Sequence, residues 1–143
     1  MHRIKIMLPD SFQFSSIIPV RITDINYGGH VGNDSILSII HEARMQFLHH
    51  YGYTEMDFAG TGMIMSEVAI EFKNELFYGD SIKVSVAITE ISKVSFALYY
   101  KLENTGTDKP VTIAIARTGM ICYNYGAKKI AAIPQKIKDR FTQ

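Results

Sequence analysis

The chain has one cysteine, Cys122, no tryptophan and only four prolines in 143 residues. A lone cysteine excludes an intrachain disulfide and suits a reducing compartment. Neither sign of charge dominates: fifteen Lys and Arg face fourteen Asp and Glu, for a net charge of +1. That balance argues against a basic nucleic-acid surface and against an acidic tail. No run approaches the roughly 18 apolar residues that span a bilayer, and Met1 to Phe14 contains no continuous apolar core of a secretory leader. The phosphate-binding patterns G-x-x-x-x-G-K-[ST] and G-x-G-x-x-G are absent. So are internal repeats, low-complexity tracts and linkers rich in Pro, Gly or Ser. These absences predict one domain over residues 1–143, cytoplasmic, with no membrane span and no nucleic-acid partner.

What is present is apolar material in a short-period pattern. Hydrophobic residues make up 47% of the chain, with eight Tyr and eight Phe. That is enough for a core, and more than a small monomer readily hides, so pairing with a second copy is expected. Ser15 to Thr23 alternates apolar and polar residues as a strand does. Asp24 to Gly32 is a glycine-bearing loop. Asn33, Asp34 and Ser35 offer caps for a helix running to about Tyr51, with Gly52 as its C-cap. Ile36, Ile39, Ile40, Ala43 and Phe47 share one face of it, and Leu37 and Leu48 widen the stripe, predicting a mostly buried helix. Period-two segments follow around Val68–Phe72, Ile82–Ile88, Phe96–Leu102 and Val111–Tyr123. The last strand is a short one at Lys129–Ala132, with a small helix after Pro134. Sequential strands on short turns pair antiparallel, so the expected class is α+β, a curled sheet with the long helix in its concave side.

The chemistry concentrates in Asp24-Ile25-Asn26-Tyr27-Gly28-Gly29-His30-Val31-Gly32-Asn33, between the first strand and the helix. Free N–H groups at a helix start, reinforced by its dipole, polarise a carbonyl that becomes an oxyanion. Gly28 and Gly29 allow a substrate close to the backbone. Asp24, Asn26 and His30 add an acceptor, an amide and an imidazole. The same residue types are also ordinary turn formers.

The segment resembles the signature of the hydroxybenzoyl-CoA thioesterase-like branch of the hot-dog superfamily, roughly D-x-D-x-x-G-H-V-N-N followed by E-x-A-R or E-A-R in the helix. Asp24, Gly29-His30-Val31, Asn33 and Glu42-Ala43-Arg44 match it. Glu71-Phe72, Gly79-Asp80, Asn124 to Lys129 and Ile133-Pro134 extend the likeness over about residues 15 to 135. The resemblance implies a five- or six-stranded antiparallel sheet wrapped around one long central helix. It implies dimers, or dimers of dimers, with sites between subunits and the pantetheine arm in a channel there. It implies hydrolysis of an extended acyl thioester of CoA or acyl-carrier protein, with no metal and no cofactor beyond the CoA of the substrate. Gly28, Gly29, Val31, Gly32 and Asn33 would position the carbonyl.

One departure from the pattern matters. The second Asp of the signature, nucleophile or base in that branch, is Asn26 here, and an amide does neither job. Asp24 or His30 could act instead. Plant acyl-carrier-protein thioesterases, a related branch, use a His matching His30 and a Glu matching Glu75, although their Asn falls on Gly28. In the working assignment Asn26 positions water or thioester, and His30 or Glu75 supplies the base. Lost catalysis, leaving a non-catalytic acyl-CoA-binding protein, is the rival reading. A hot-dog hydratase or dehydratase is disfavoured by G-H-V-x-N followed by E-A-R.

Glu42 and Arg44 are secondary candidates, Glu42 as a site carboxylate or as a helix ion-pair partner, Arg44 as a brace for the helix. His41, His49 and His50 lack metal-site spacing, and no Cys or carboxylate cluster completes one. Cys122 reads as a small core residue. Lys128, Lys129, Lys136, Lys138 and Arg140 form a basic tail, either plain surface or a contact for CoA phosphates.

Overall fold

The computed structural model describes residues 4–142. The expectations for Met1 to Phe14 and for a domain spanning 1–143 therefore extend outside the described residues. The elements run β1 (Phe14–Pro19), α1 (Asn33–His50), β2 (Gly62–Phe72), β3 (Ser81–Thr89), β4 (Ser95–Asn104), β5 (Val111–Asn124), β6 (Lys129–Ile130) and α2 (Gln135–Phe141). All strands join one antiparallel sheet in the order β1-β3-β4-β5-β2, with β6 on the end of β5. The sheet wraps α1, which is the hot-dog architecture implied by the sequence. Among the described residues no helix is long and apolar enough to cross a membrane.

The strand alternation is realised in packing. Ile82, Val84, Val86 and Ile88 of β3 and Phe96, Leu98, Tyr100 and Leu102 of β4 all point into the core. They meet Ile36, Ile39, Ile40, Ala43, Phe47 and Leu48 of α1. Each fully buried aliphatic or aromatic side chain contributes about 1.5–3 kcal/mol, so this contact is the main source of stability.

Two expectations need correction. β1 stops at Pro19, and Ile22–Asp24 is a 3-10 turn that leaves Ile22 exposed. The Asp24 carboxylate captures the Arg21 N–H at 2.8 Å, which closes a turn where the alternation suggested more strand. The helix is also not mostly buried: Leu37 and Met45 lie on an open face in the single chain, and Glu42 is exposed. Only one stripe of α1 meets the sheet, because the sheet curls around one side of it.

Inside that interface sits a cation. Arg44 is 5% exposed. Its Nε donates to Glu55 Oε2 at 2.9 Å and its Nη1 to the Tyr100 hydroxyl at 3.2 Å. The Tyr100 hydroxyl lies 2.8 Å from Thr118 Oγ1, and His41 Nε2 lies 2.8 Å from Glu55 Oε1. Burial disfavours charge on Arg44, but Tyr100 and Glu55 outweigh it and hold the guanidinium above its ordinary pKa. Burial likewise pushes the Glu55 carboxyl up, while hydrogen bonds from His41 and Arg44 bring it below its ordinary value.

Two measurements follow from this network. Arg44→Met removes the cation but leaves Glu55 and Tyr100 behind, and should cost about 3 kcal/mol in denaturant unfolding; a loss below 1 kcal/mol would mean the network is decorative. Because the folded pKa of Glu55 is depressed, its contribution is complete above the ordinary value of 4.5 and disappears as pH falls through the lower folded value. Glu55→Gln should therefore flatten the loss of stability below about pH 4.5, read as Tm against pH.

Candidate active site at the start of the long helix

The loop leading into α1 is held by its own backbone. The Asn26 N–H donates to the His30 carbonyl and the Gly29 N–H to the Asn26 carbonyl, both at 3.0 Å. Gly29 takes φ +86°, a conformation that disfavours any side chain. The Asn26 Oδ1 accepts from the Gly28 N–H at 2.9 Å. That bond ties one lone pair of the amide oxygen to the loop, and the Nδ2 has no hydrogen-bond acceptor among the described residues.

The loop is then stitched to the sheet. The Val31 N–H donates to the Leu76 carbonyl at 2.8 Å, and His30 pairs with Phe77 as an antiparallel bridge. The Gly32 N–H donates to the Asp24 carbonyl at 3.3 Å. Asp24 itself is buried, with its carboxylate occupied by the Arg21 N–H and, at 3.5 Å, by Arg21 Nη2. It supports the loop from beneath.

α1 starts after Gly32, which supplies no side-chain cap. Among the described residues the N–H groups of Asn33, Asp34 and Ser35 have no hydrogen-bond acceptor. Three donors at the positive end of an 18-residue helix are thus unsatisfied. Beside Asn33 lies a cavity of about 250 Å³. His30, Asn33, Lys73, Asn74 and Glu75 supply its polar lining, and Ile36, Phe72 and Leu76 are among its apolar lining. A groove beyond Lys73, Asn74 and Glu75 continues toward Phe77 and Val111.

His30 borders both parts of the site. Its Nδ1 lies 3.3 Å from the Val31 carbonyl, so the tautomer protonated at Nδ1 leaves Nε2 as an acceptor. A methyl group placed on Gly28 would stand 3.2 Å from Asn26 Oδ1 and 3.6 Å from His30 Nε2. The amide and the imidazole therefore flank the same bare glycine.

Of the predicted site residues, His30, Val31, Asn33 and Glu75 line the cavity, while Asn26, Gly28, Gly29 and Gly32 lie in the loop that enters α1 without lining it. The structure leaves Glu42 and Arg44 apart. Glu42 accepts from Gln46 Nε2 at 2.8 Å on the open face of α1, about 13 Å along the helix from Asn33. Arg44 is the buried brace described above. Sequence reasoning missed Glu55, Tyr100 and Thr118 as its partners, and read Asp34 only as a candidate cap. Asp34 instead turns its carboxylate back over Gly32, which a methyl group on Gly32 would meet at 2.7 Å.

The sequence matches the family described as the thioesterase-like superfamily over residues 20–141. It is 27% identical over 122 residues to a 1,4-dihydroxy-2-naphthoyl-CoA hydrolase of Microcystis aeruginosa, covering 83% of this chain and 86% of that one. The fold superposes on a 1,4-dihydroxy-2-naphthoyl-CoA thioesterase from Synechocystis with a TM-score of 0.79 at 21% identity, over 90% of this chain and 94% of that one. A gentisyl-coenzyme A thioesterase superposes with a TM-score of 0.77 at 21% identity, over 90% of this chain and 100% of that one. With the curled sheet, the embedded helix and the family match in agreement, the chain belongs to the thioesterase-like superfamily of hot-dog thioester hydrolases.

Proposed function

We propose that this protein hydrolyses an acyl thioester of coenzyme A to the free acid and CoA. The observation that carries the proposal is the set of free N–H groups at the start of α1, whose first residue, Asn33, lines a cavity with polar and apolar walls. A thioester carbonyl at that point gains hydrogen bonds as it becomes an oxyanion, and Asn26 Nδ2 adds a fourth donor from the loop. Water attacks the carbonyl carbon, the tetrahedral intermediate collapses, and the thiolate of CoA leaves. No cofactor takes part beyond the CoA of the substrate.

His30 and Glu75 line the cavity and are assigned to holding the acyl thioester, while Asp24 keeps the loop in shape. CoA is favoured over acyl-carrier protein because the similar proteins carry CoA thioesters in their names. An aryl acyl group is favoured because the similar proteins carry dihydroxynaphthoyl and gentisyl groups in their names. A reducing, cytoplasmic setting suits the single buried thiol of Cys122.

A second copy of the chain is part of this reading. Among the described residues one side of β2 is unpaired at the end of the sheet, and Ile64, Met65, Val68 and Phe72 are exposed along that strand. A long apolar edge strand invites pairing. Phe72 belongs to both this edge and the cavity wall, so a partner along β2 would also close the site.

Purified protein should release free thiol from at least one member of an acyl-CoA panel that includes aryl-CoAs. Asn26→Leu should lower kcat about 100-fold through loss of one oxyanion donor, whereas His30→Ala should mainly raise KM. Binding of every acyl-CoA without thiol release would favour the non-catalytic reading. Val68→Lys should shift the sedimentation mass from dimer to monomer and raise KM; a wild-type monomer with full activity would refute the paired site.

A further inference from the structure

Resting on the thioesterase reading, we propose that the substrate lies in one fixed direction: its acyl group points inward against Ile36 and Ile113, and its pantetheine arm leaves along the groove over Asn74 and Val111 of the same copy of the chain. The cavity has two unlike sides. Ile36 and Ile113 are buried, whereas Phe72, Lys73, Asn74 and Glu75 are exposed. A group that enters passes the exposed side first and meets the two isoleucines last. With its carbonyl at the start of α1, a thioester has two ways to lie. An apolar acyl group gains by leaving water among Ile36, Ile113 and Leu76. The arm, with two amides and a hydroxyl, would lose its hydrogen bonds there.

The groove supplies what the arm needs. It shares Lys73, Asn74, Glu75 and Ile113 with the cavity, so the two are continuous. Its floor is rigid. The Lys73 and Asn74 N–H groups both donate to the Ile113 carbonyl, at 2.8 and 3.1 Å, and Asn74 Nδ2 donates to the Thr112 carbonyl at 2.7 Å. Asn74 Oδ1 and the Glu75 carboxylate keep no donor among the described residues and can accept from the amides of the arm. Asp80 and Asn104 are occupied by their own turns: Asp80 Oδ2 accepts from the Phe77 N–H at 2.9 Å, and Asn104 Oδ1 from the Gly106 N–H at 3.0 Å. Glu75 and Asp80 stand against Lys73, so the groove has no surplus of positive charge. That suits the neutral arm and leaves the diphosphate of CoA beyond the groove.

Length and direction agree. The groove crosses the end of the sheet from the segment after β2, past β5 and β4, to Asp80 before β3. Strands about 4.8 Å apart make that crossing roughly 14 Å. The arm, from its sulfur to its terminal oxygen, has about twelve bonds and the reach of about four extended residues, again roughly 14 Å. The path runs away from the free edge of β2. A partner along β2 would cover the Phe72 side of the cavity and leave the groove open. The arm then lies on one copy, and not in a channel between two as the family resemblance implies.

The test compares thiol release from an acyl-CoA and from the S-ethyl thioester of the same acid, which has no arm. Wild type, Val111→Trp, Phe77→Ala and Ile113→Ala are used, each checked for folding by circular dichroism. The ratio of kcat/KM for the CoA ester to that for the S-ethyl ester reads the arm. It should fall about tenfold or more in Val111→Trp, which fills the groove, and about threefold or more in Phe77→Ala, which removes part of its wall. A smaller fall in Val111→Trp, or in Phe77→Ala should Val111→Trp not fold, overturns the groove, since an arm between subunits touches neither residue. The preference between benzoyl and naphthoyl esters reads the acyl end. Ile113→Ala should move it toward naphthoyl about fivefold or more in both series; should that variant not fold, Ile113→Val should move it the same way about twofold or more. A smaller shift overturns the inward acyl group. Wild-type activity with these ratios unmoved overturns the orientation alone. A wild type silent on every acyl-CoA overturns the thioesterase reading and this orientation with it.

Discussion

A positive charge on the buried face of a helix must be answered inside the core, and in this protein that requirement falls on Arg44. An unpaired buried guanidinium is far more costly than an unpaired hydroxyl, so its partners are obligatory. They come from three places: Glu55 from the loop after α1, Tyr100 from β4 and, through Tyr100, Thr118 from β5. Apolar contacts in the same interface tolerate small slides of one surface over another, whereas directed hydrogen bonds do not. Arg44 therefore fixes the rotation and axial position of α1 against the sheet. Since α1 is a rigid rod, its N-terminal donors are fixed with it, and the site depends on a residue that does not touch it.

The other end of the helix is set by the backbone. The Val31 N–H to Leu76 carbonyl bond ties the helix entrance to the segment after β2, and the bridge between His30 and Phe77 extends that tie. These bonds create the cavity, because they hold His30 and Asn33 opposite Phe72 and Glu75. Neither the loop nor the strand end makes the site alone.

The fold was legible because its signal is periodic. Ile36, Ile39, Ile40, Ala43 and Phe47 repeat at helical spacing, and Ile82 to Ile88 repeat at strand spacing, and both patterns appear as buried faces. The alternation through Val20 and Ile22 misled because side-chain capture of the Arg21 N–H by Asp24 competes with the strand ladder, and period-two counting does not register it. The open face of α1 was not legible either, since Leu37 and Met45 look like core residues until the sheet is seen to cover one side only. For the site, the loop residues and Glu75 could be nominated from motif likeness. The partners of Arg44 could not, because Tyr100 is 56 residues away and nothing local marks it. Asp34 could be named as a cap but is none: α1 begins at Asn33, with Gly32 as its N-cap and no side-chain cap bond.

Asn26 was the residue that weakened the catalytic reading, and its hydrogen bonding changes what the substitution means. In a loop where Gly28 donates to the side-chain oxygen at position 26, a carboxylate there would keep one oxygen in the loop and present the other as an acceptor. Asn26 keeps the loop bond and leaves a donor, where a carboxylate would leave an acceptor, on the free side of the side chain. In the proposed reaction a donor at 26 would add to the polarisation of the carbonyl by the helix start, and at the same stroke position 26 would lack a proton acceptor. Strong carbonyl polarisation without an acceptor for the proton of water would bind thioesters and leave them intact. The loop residue at 26 therefore does not decide between enzyme and binding protein alone; that decision falls to whichever carboxylate or imidazole borders the same donors.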